Sequence, residues 1–125
     1  EQRFYEMIDH SLIMIWESDP NGKVSYLNDY WLKFTGRQFK DEKSNGWAEH
    51  IYPDDLNFFL ETFQLSLIRR NPFCIDHRLK NNAGIYRWVM NSGSPRFNED
   101  GEFLGLRGAC VDISERKTSE LDLKN

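Results

Sequence analysis

The residues able to do chemistry are few in this chain, and their spacing gathers none of them into a reaction centre. Histidines stand at His10, His50 and His77, cysteines at Cys74 and Cys110, and Asp54 and Asp55 are adjacent. A metal site needs several His, Cys, Asp or Glu at ligand spacing, and no such cluster is legible. The paired carboxylates follow Pro53 at a helix start, where the positive end of the helix dipole accounts for both. A nucleophile elbow, a P-loop and a dinucleotide fingerprint are all missing. The stretch "GLRG", residues 105–108, falls in a strand, where glycine permits close approach of another group. His50 reads as an exposed side chain in an irregular polar segment. His77 alternates with apolar neighbours on a strand and reads as facing solvent. The cysteines read as small buried hydrophobes. A small isomerase would need a buried carboxylate or His opposite an aromatic hydroxyl, and the sequence assembles none. The chain therefore reads as regulatory, not catalytic.

The 125 residues suffice for one domain, with 39% hydrophobic and 14% aromatic residues. Sixteen basic against twenty acidic residues give a net charge of −4. With no basic block, nucleic acid is a poor partner. No apolar run reaches the roughly 18 residues of a membrane span, so direct membrane contact within this chain is not expected. Two thiols form no disulfide framework. A cytoplasmic placement follows, whether free or as the soluble part of a membrane-bound sensor. The start at Glu1 reads as a piece of something longer.

The elements that must position these residues follow from periodicity. Phe4, Ile8 and Leu12 repeat at helical spacing, which predicts an amphipathic cap helix over residues 1–11. Residues 12–17 predict a strand, "DPNG" a turn, and residues 23–27 the returning strand of a hairpin. Asn28 then opens a helix carrying Trp31 and Phe34 that stops at Gly36. Residues 37–50 are polar and irregular. Residues 52–71 predict the best helix, with Leu56, Phe59, Leu60, Phe63 and Leu67 as one apolar stripe. Strands follow at 73–80, 85–91 and 102–113. Two early and three late strands close one core by sharing an antiparallel sheet, with the helical segment over one face. The fold class is α+β.

This layout and several short motifs resemble the PAS family of sensory domains. "NGKVSYLN" (21–28) is similar to the family's hairpin ending in Asn, and "FTG" (34–36) to the end of its first helix. "YPDD" (52–55) is similar to the start of the long helix, with Tyr52 in place of the usual His. "YRWV" (86–89) and "NEDGEFLGLRGACVDISERK" (98–117) look like the C-terminal half, closing on Asp112-Ile113-Ser114 in place of an Asp-Ile-Thr-type motif. The resemblance spans about residues 4–117. It implies a strand order of 2-1-5-4-3, a core over residues 12–113 and the start of a helical signalling linker over 114–125. It also implies a domain that senses a small ligand or mediates dimerisation and relays its state to a C-terminal output module. A histidine kinase is the expected output. A diguanylate cyclase-type protein and a ligand-free docking module are the alternatives.

The resemblance places the last strand at the sheet centre, next to the departing linker. The relay candidates are therefore Asp112, Ser114, Arg87 and Trp88. Asp112 either pairs with Arg87, preferred over Arg107, or stays a solvated cap of the following helix, which Ser114 would also cap. Phe59, Phe63 and Leu67, with Trp31 and Trp47, either fill the core or line a cavity for a small apolar or mixed ligand. Phe4, Ile8 and Leu12 are expected to bury against the open sheet face or against a second copy in a homodimer. No cofactor is predicted. Haem would need an axial His on the long helix, and a covalent flavin a Cys within residues 28–71; the sequence has neither. An unknown small ligand stays open. The implied order puts one strand between Cys74 and Cys110, roughly 9.6 Å, beyond disulfide reach.

Overall fold

The computed structural model describes Tyr5, Met7, residues 12–43 and residues 46–124. The first hairpin joins β1 (Met14–Ser18) to β2 (Val24–Leu27). Its turn is held by Asp19, whose Oδ1 accepts the backbone N–H of Asn21 and Lys23, each at 2.9 Å. Gly22 supplies the left-handed φ of 88° that the turn requires.

Asn28 then sets the geometry. Its Oδ1 accepts from Trp31 N at 3.1 Å, capping α1 (Asp29–Thr35), and from Ile15 N at 3.0 Å. Its Nδ2 donates to Ile13 O at 2.8 Å. One buried amide thus caps a helix and stitches it to β1. Gly36 ends α1 in the left-handed region. Short helical pieces follow, α2 (Phe39–Glu42) and a 3-10 turn (Gly46–His50), and then the long α3 (Pro53–Arg69). β3 (Phe73–Lys80), β4 (Tyr86–Phe97) and β5 (Phe103–Asp112) lead into α4 (Ser114–Lys124).

The five strands form one antiparallel sheet in the order β2-β1-β5-β4-β3. β5 is central, paired with β1 through Met14↔Cys110 and with β4 through Val89↔Asp112. Alternation sends Met14, Trp16, His77, Leu79, Val89, Asn91, Leu106 and Cys110 to the inner face, all buried. α3 lays Phe59, Phe63 and Leu67 on that face. Its buried stripe is narrower than the sequence predicts, because Leu60 is 39% exposed and Ser66 is buried instead. Trp16 lies across the central strand at Gly108, where an added Cβ would sit 2.3 Å from the indole.

β4 is the element most changed from expectation, since it continues through residues 92–97. β3 pairs with β4 only as far as Phe73↔Gly93. Beyond that point β4 has an open side, so the missing N–H of Pro95 breaks no ladder. The bridge Ile51↔Leu79 and the bond from Tyr52 N to Arg78 O at 3.1 Å lay the approach to α3 along the outer edge of β3.

On the other sheet face, Tyr5 stacks edge-on against Tyr26 at 5.0 Å and its hydroxyl donates to Glu17 at 3.1 Å. Glu17 is buried and also accepts from Arg107 Nε at 2.6 Å. Leu12 is 82% exposed and does not bury against this face. Phe4 and Ile8 lie outside the described residues.

Candidate functional site

The core encloses a cavity of about 20 Å³ lined by Trp16, Trp31, Trp47, Phe59, Phe63 and Asn91, with Val24 and Leu27. Four of the five expected pocket residues thus converge. Leu67 does not; it packs toward Gly22, where an added Cβ would meet its Cδ1 at 2.7 Å. The rings interlock, with Trp47 edge-on to Phe59 at 5.4 Å and Phe59 stacked on Phe63 at 5.8 Å. A space of this size holds about one water molecule. It is far below the few hundred Å³ of a cofactor-sized site. Val24→Ile adds one methyl to this space. It is expected to raise the unfolding free energy by up to ~1 kcal/mol in urea titrations. A fall in the midpoint would show that the rings cannot accommodate it.

Two buried histidines are bonded to groups that hold the cavity wall, His77 through Asn91 and His50 through Glu42 and Trp31, and both differ from the sequence expectation. His77 is inward and 2% exposed, not solvent-facing. Asn91 spans the gap, accepting from Trp16 Nε1 at 2.9 Å and donating to His77 Nε2 at 3.2 Å. That fixes the His77 proton on Nδ1, 3.3 Å from Arg78 O. Burial pushes the His77 pKa down, so the ring is neutral. His50 is buried too, because Glu42 stands behind it with no exposed surface. Glu42 accepts from His50 Nε2 at 2.8 Å and Trp31 Nε1 at 3.0 Å, with Arg37 Nε at 3.0 Å. Burial pushes the Glu42 pKa up, but these three partners outweigh it and hold the carboxyl below its ordinary range.

The cysteines occupy opposite situations. Cys110 is buried, which pushes its thiol pKa well up, whereas Cys74 is exposed and not the buried hydrophobe expected. β4 separates their strands. Among the described residues, no group of three or more His, Cys, Asp or Glu could hold a metal ion.

The four relay candidates meet at the end of β5. Asp112 Oδ2 accepts from Arg87 Nε at 2.8 Å, and Oδ1 accepts from Ser114 N at 2.9 Å. One carboxylate therefore joins β4 to the first turn of α4 and also caps that helix. Ser114 plays a different part from the cap expected of it, since its hydroxyl accepts from Trp88 N at 2.9 Å. Ile113 N donates to Trp88 O at 2.8 Å and Ile113 is buried. Burial pushes the Asp112 carboxyl up, but Arg87 and Ser114 hold it below its usual value. The ion pair opens onto a cleft of about 390 Å³ between α1 and the β3–β4 turn, lined by Tyr30, Lys33 and Phe34 on one side and Asn81 and Asn82 on the other.

The first turn of α4 is fastened from the outer face as well. Lys117 Nζ lies 5.0 Å over the Trp88 ring. Asp76 takes Lys117 at 3.0 Å and Arg116 at 3.2 Å. Sequence reasoning missed Asp76, and it assigned Asp55 wholly to helix capping. Asp55 in fact binds Arg78 of β3 through both carboxylate oxygens, at 2.7 and 2.9 Å. The Arg78 partner holds the Asp55 pKa down.

The family model described as the PAS fold matches residues 24–110. The chain belongs to the PAS family. It is 37% identical over 120 residues to the uncharacterized protein y4lL of Sinorhizobium fredii, covering 96% of this chain and 14% of that protein. It is 26% identical over 119 residues to the peroxide stress-activated histidine kinase mak1 of Schizosaccharomyces pombe, covering 94% of this chain and 7% of that protein. The chain therefore spans only a small part of these relatives. A solved sensory box histidine kinase/response regulator from Burkholderia thailandensis superposes with a TM-score of 0.71 at 25% identity, covering 98% of this chain and 92% of that one. The domain is a PAS sensory domain, related to those of histidine kinases. No helix among the described residues is long and apolar enough to cross a membrane.

Proposed function

We propose that this domain relays the packing state of its core to an output module joined through α4. The observation that carries this reading is the Asp112 carboxylate, which holds Arg87 of β4 and Ser114 of α4 at once at the end of the central strand. A shift of β5 against β4 must change one of these bonds. The relay then needs two arrangements of the junction, biased by the core. A small apolar guest acts by displacing the Trp47, Phe59 and Phe63 rings. It changes output only to the extent that it binds the two arrangements differently. A histidine kinase is the output class we favour, supported by the kinase relatives. A cytoplasmic homodimer, with the N-terminal segment near the partner, is part of the same reading.

Asp112→Ala in a fusion to a histidine kinase is expected to shift basal autophosphorylation severalfold. Stability should fall by no more than about 1 kcal/mol, since the pair with Arg87 is partly exposed. Unchanged kinase output, with the fold intact by circular dichroism, would sink the relay.

A further inference from the structure

We infer that Arg78 is a second coupling residue, tying the start of α3 to the first turn of α4 through the Trp88 ring, by a route that does not pass through Asp112. The inference rests on the reading that α4 carries the state of the core onward. Three elements converge on this one side chain. From α3, Asp55 receives Arg78 Nη2 and Nε, and its Oδ2 also accepts the Arg78 backbone N–H at 2.8 Å. From the approach to α3, the Tyr52 ring centre lies 3.9 Å from the guanidinium carbon. From β4, the Trp88 ring lies 4.9 Å away, and Lys117 of α4 sits against that same ring at 5.0 Å. Asp76, two residues before Arg78 on β3, draws Lys117 and Arg116 toward the same strand.

The other end of the route is the cavity. Asp55 and Phe59 are four residues apart, hence on one face of α3, and Phe59 lines the cavity. Displacing the Phe59 ring moves the turn that carries Asp55. The carboxylate is clamped on a planar guanidinium, so Arg78 must follow. Trp88 is fastened to α4 by Ser114, Ile113 and Lys117, so it carries that motion outward. Only arginine fits this position, because it alone offers a bidentate edge and a stacking face together. A guanidinium held bidentately by a carboxylate and faced by two rings fixes the relative placement of the elements that carry them, which points to positioning.

Spatial continuity does not by itself establish coupling, so the test is a double-mutant cycle read at the far end. Hydrogen exchange on the whole chain would follow the Lys117 and Thr118 amides in Asp55→Asn, Arg78→Lys and the double variant. Thermal unfolding in parallel would report global stability. Each single change is expected to speed exchange at these amides about fivefold beyond the global change. The double variant should exchange no faster than either single. Additive effects, or α4 exchange that merely tracks global stability, overturn the inference. If Asp55→Asn unfolds the chain, Lys117→Met and Arg78→Lys give the same non-additive pattern from the other end, and additivity there is equally fatal. If Asp112→Ala leaves kinase output unchanged while this cycle is non-additive, the relay reading fails and the Arg78 coupling stands. The opposite pair of results removes Arg78 alone.

Discussion

Glu42→Ala is expected to lower the unfolding free energy by about 3–5 kcal/mol, the usual cost of removing one partner from a buried ionic cluster. The carboxylate is wholly buried and receives the Trp31 indole, the His50 ring and Arg37. Alanine leaves two buried N–H donors without an acceptor. It also loosens Trp31, which lines the cavity. Equilibrium denaturation in urea gives the magnitude; a loss below about 1 kcal/mol would mean that water replaces the carboxylate. The same group predicts acid lability. Folding favours its ionised form, so its contribution is complete above the unfolded-state pKa near 4.5 and disappears as pH falls through the lower folded value. His77 acts earlier in an acid titration. Folding favours its neutral ring, so stability begins to fall as pH drops through the unfolded-state value near 6.5. Glu42→Gln should flatten the lower limb of the stability–pH curve and leave the His77 limb in place.

Gly108→Ala is expected to cost about 3 kcal/mol or more, at the upper end of overpacking penalties. A Cβ there would meet the Trp16 ring at 2.3 Å and the backbone oxygen of Ser92 at 2.4 Å. A side chain alone could swing away, but the Ser92 carbonyl belongs to β4, so the centre of the sheet has to spread. Trp16 would also lose its bond to Asn91, and with it the neutral thread to His77. Near-ultraviolet circular dichroism of the tryptophans together with the thermal midpoint would read both effects. An unchanged midpoint would show that the indole does not need this glycine.

The parts legible in the sequence are those fixed by local chemistry. Asn28, Gly36 and Pro53 mark helix ends wherever they occur, because capping and φ preference act within one turn. The central place of β5 came from the family resemblance and not from periodicity. The buried polar groups were illegible for a physical reason. Glu42 and His50 sit in a polar stretch that reads as exposed, and only Trp31 and Arg37, brought in by folding, make their burial tolerable. His77 was missed in the same way, through Asn91. "SGSPRF" carries loop residues but lies in β4, where Gly93 clears space for Phe73 and Trp16. Asp55 read as a cap because its ligand, Arg78, is 23 positions away.

The strand at the margin of the sheet has a further consequence. Both main-chain groups of Arg78 are already spent, its N–H on Asp55 and its carbonyl on Tyr52, and Leu79 is bridged to Ile51. A foreign strand seeking to extend the sheet there would be left with the earlier part of β3, where Asp76 is already paired with Lys117 and Arg116 of α4. Sheet extension along that border is thereby confined to the first residues of β3, and the half of the strand next to the β3–β4 turn is closed to it.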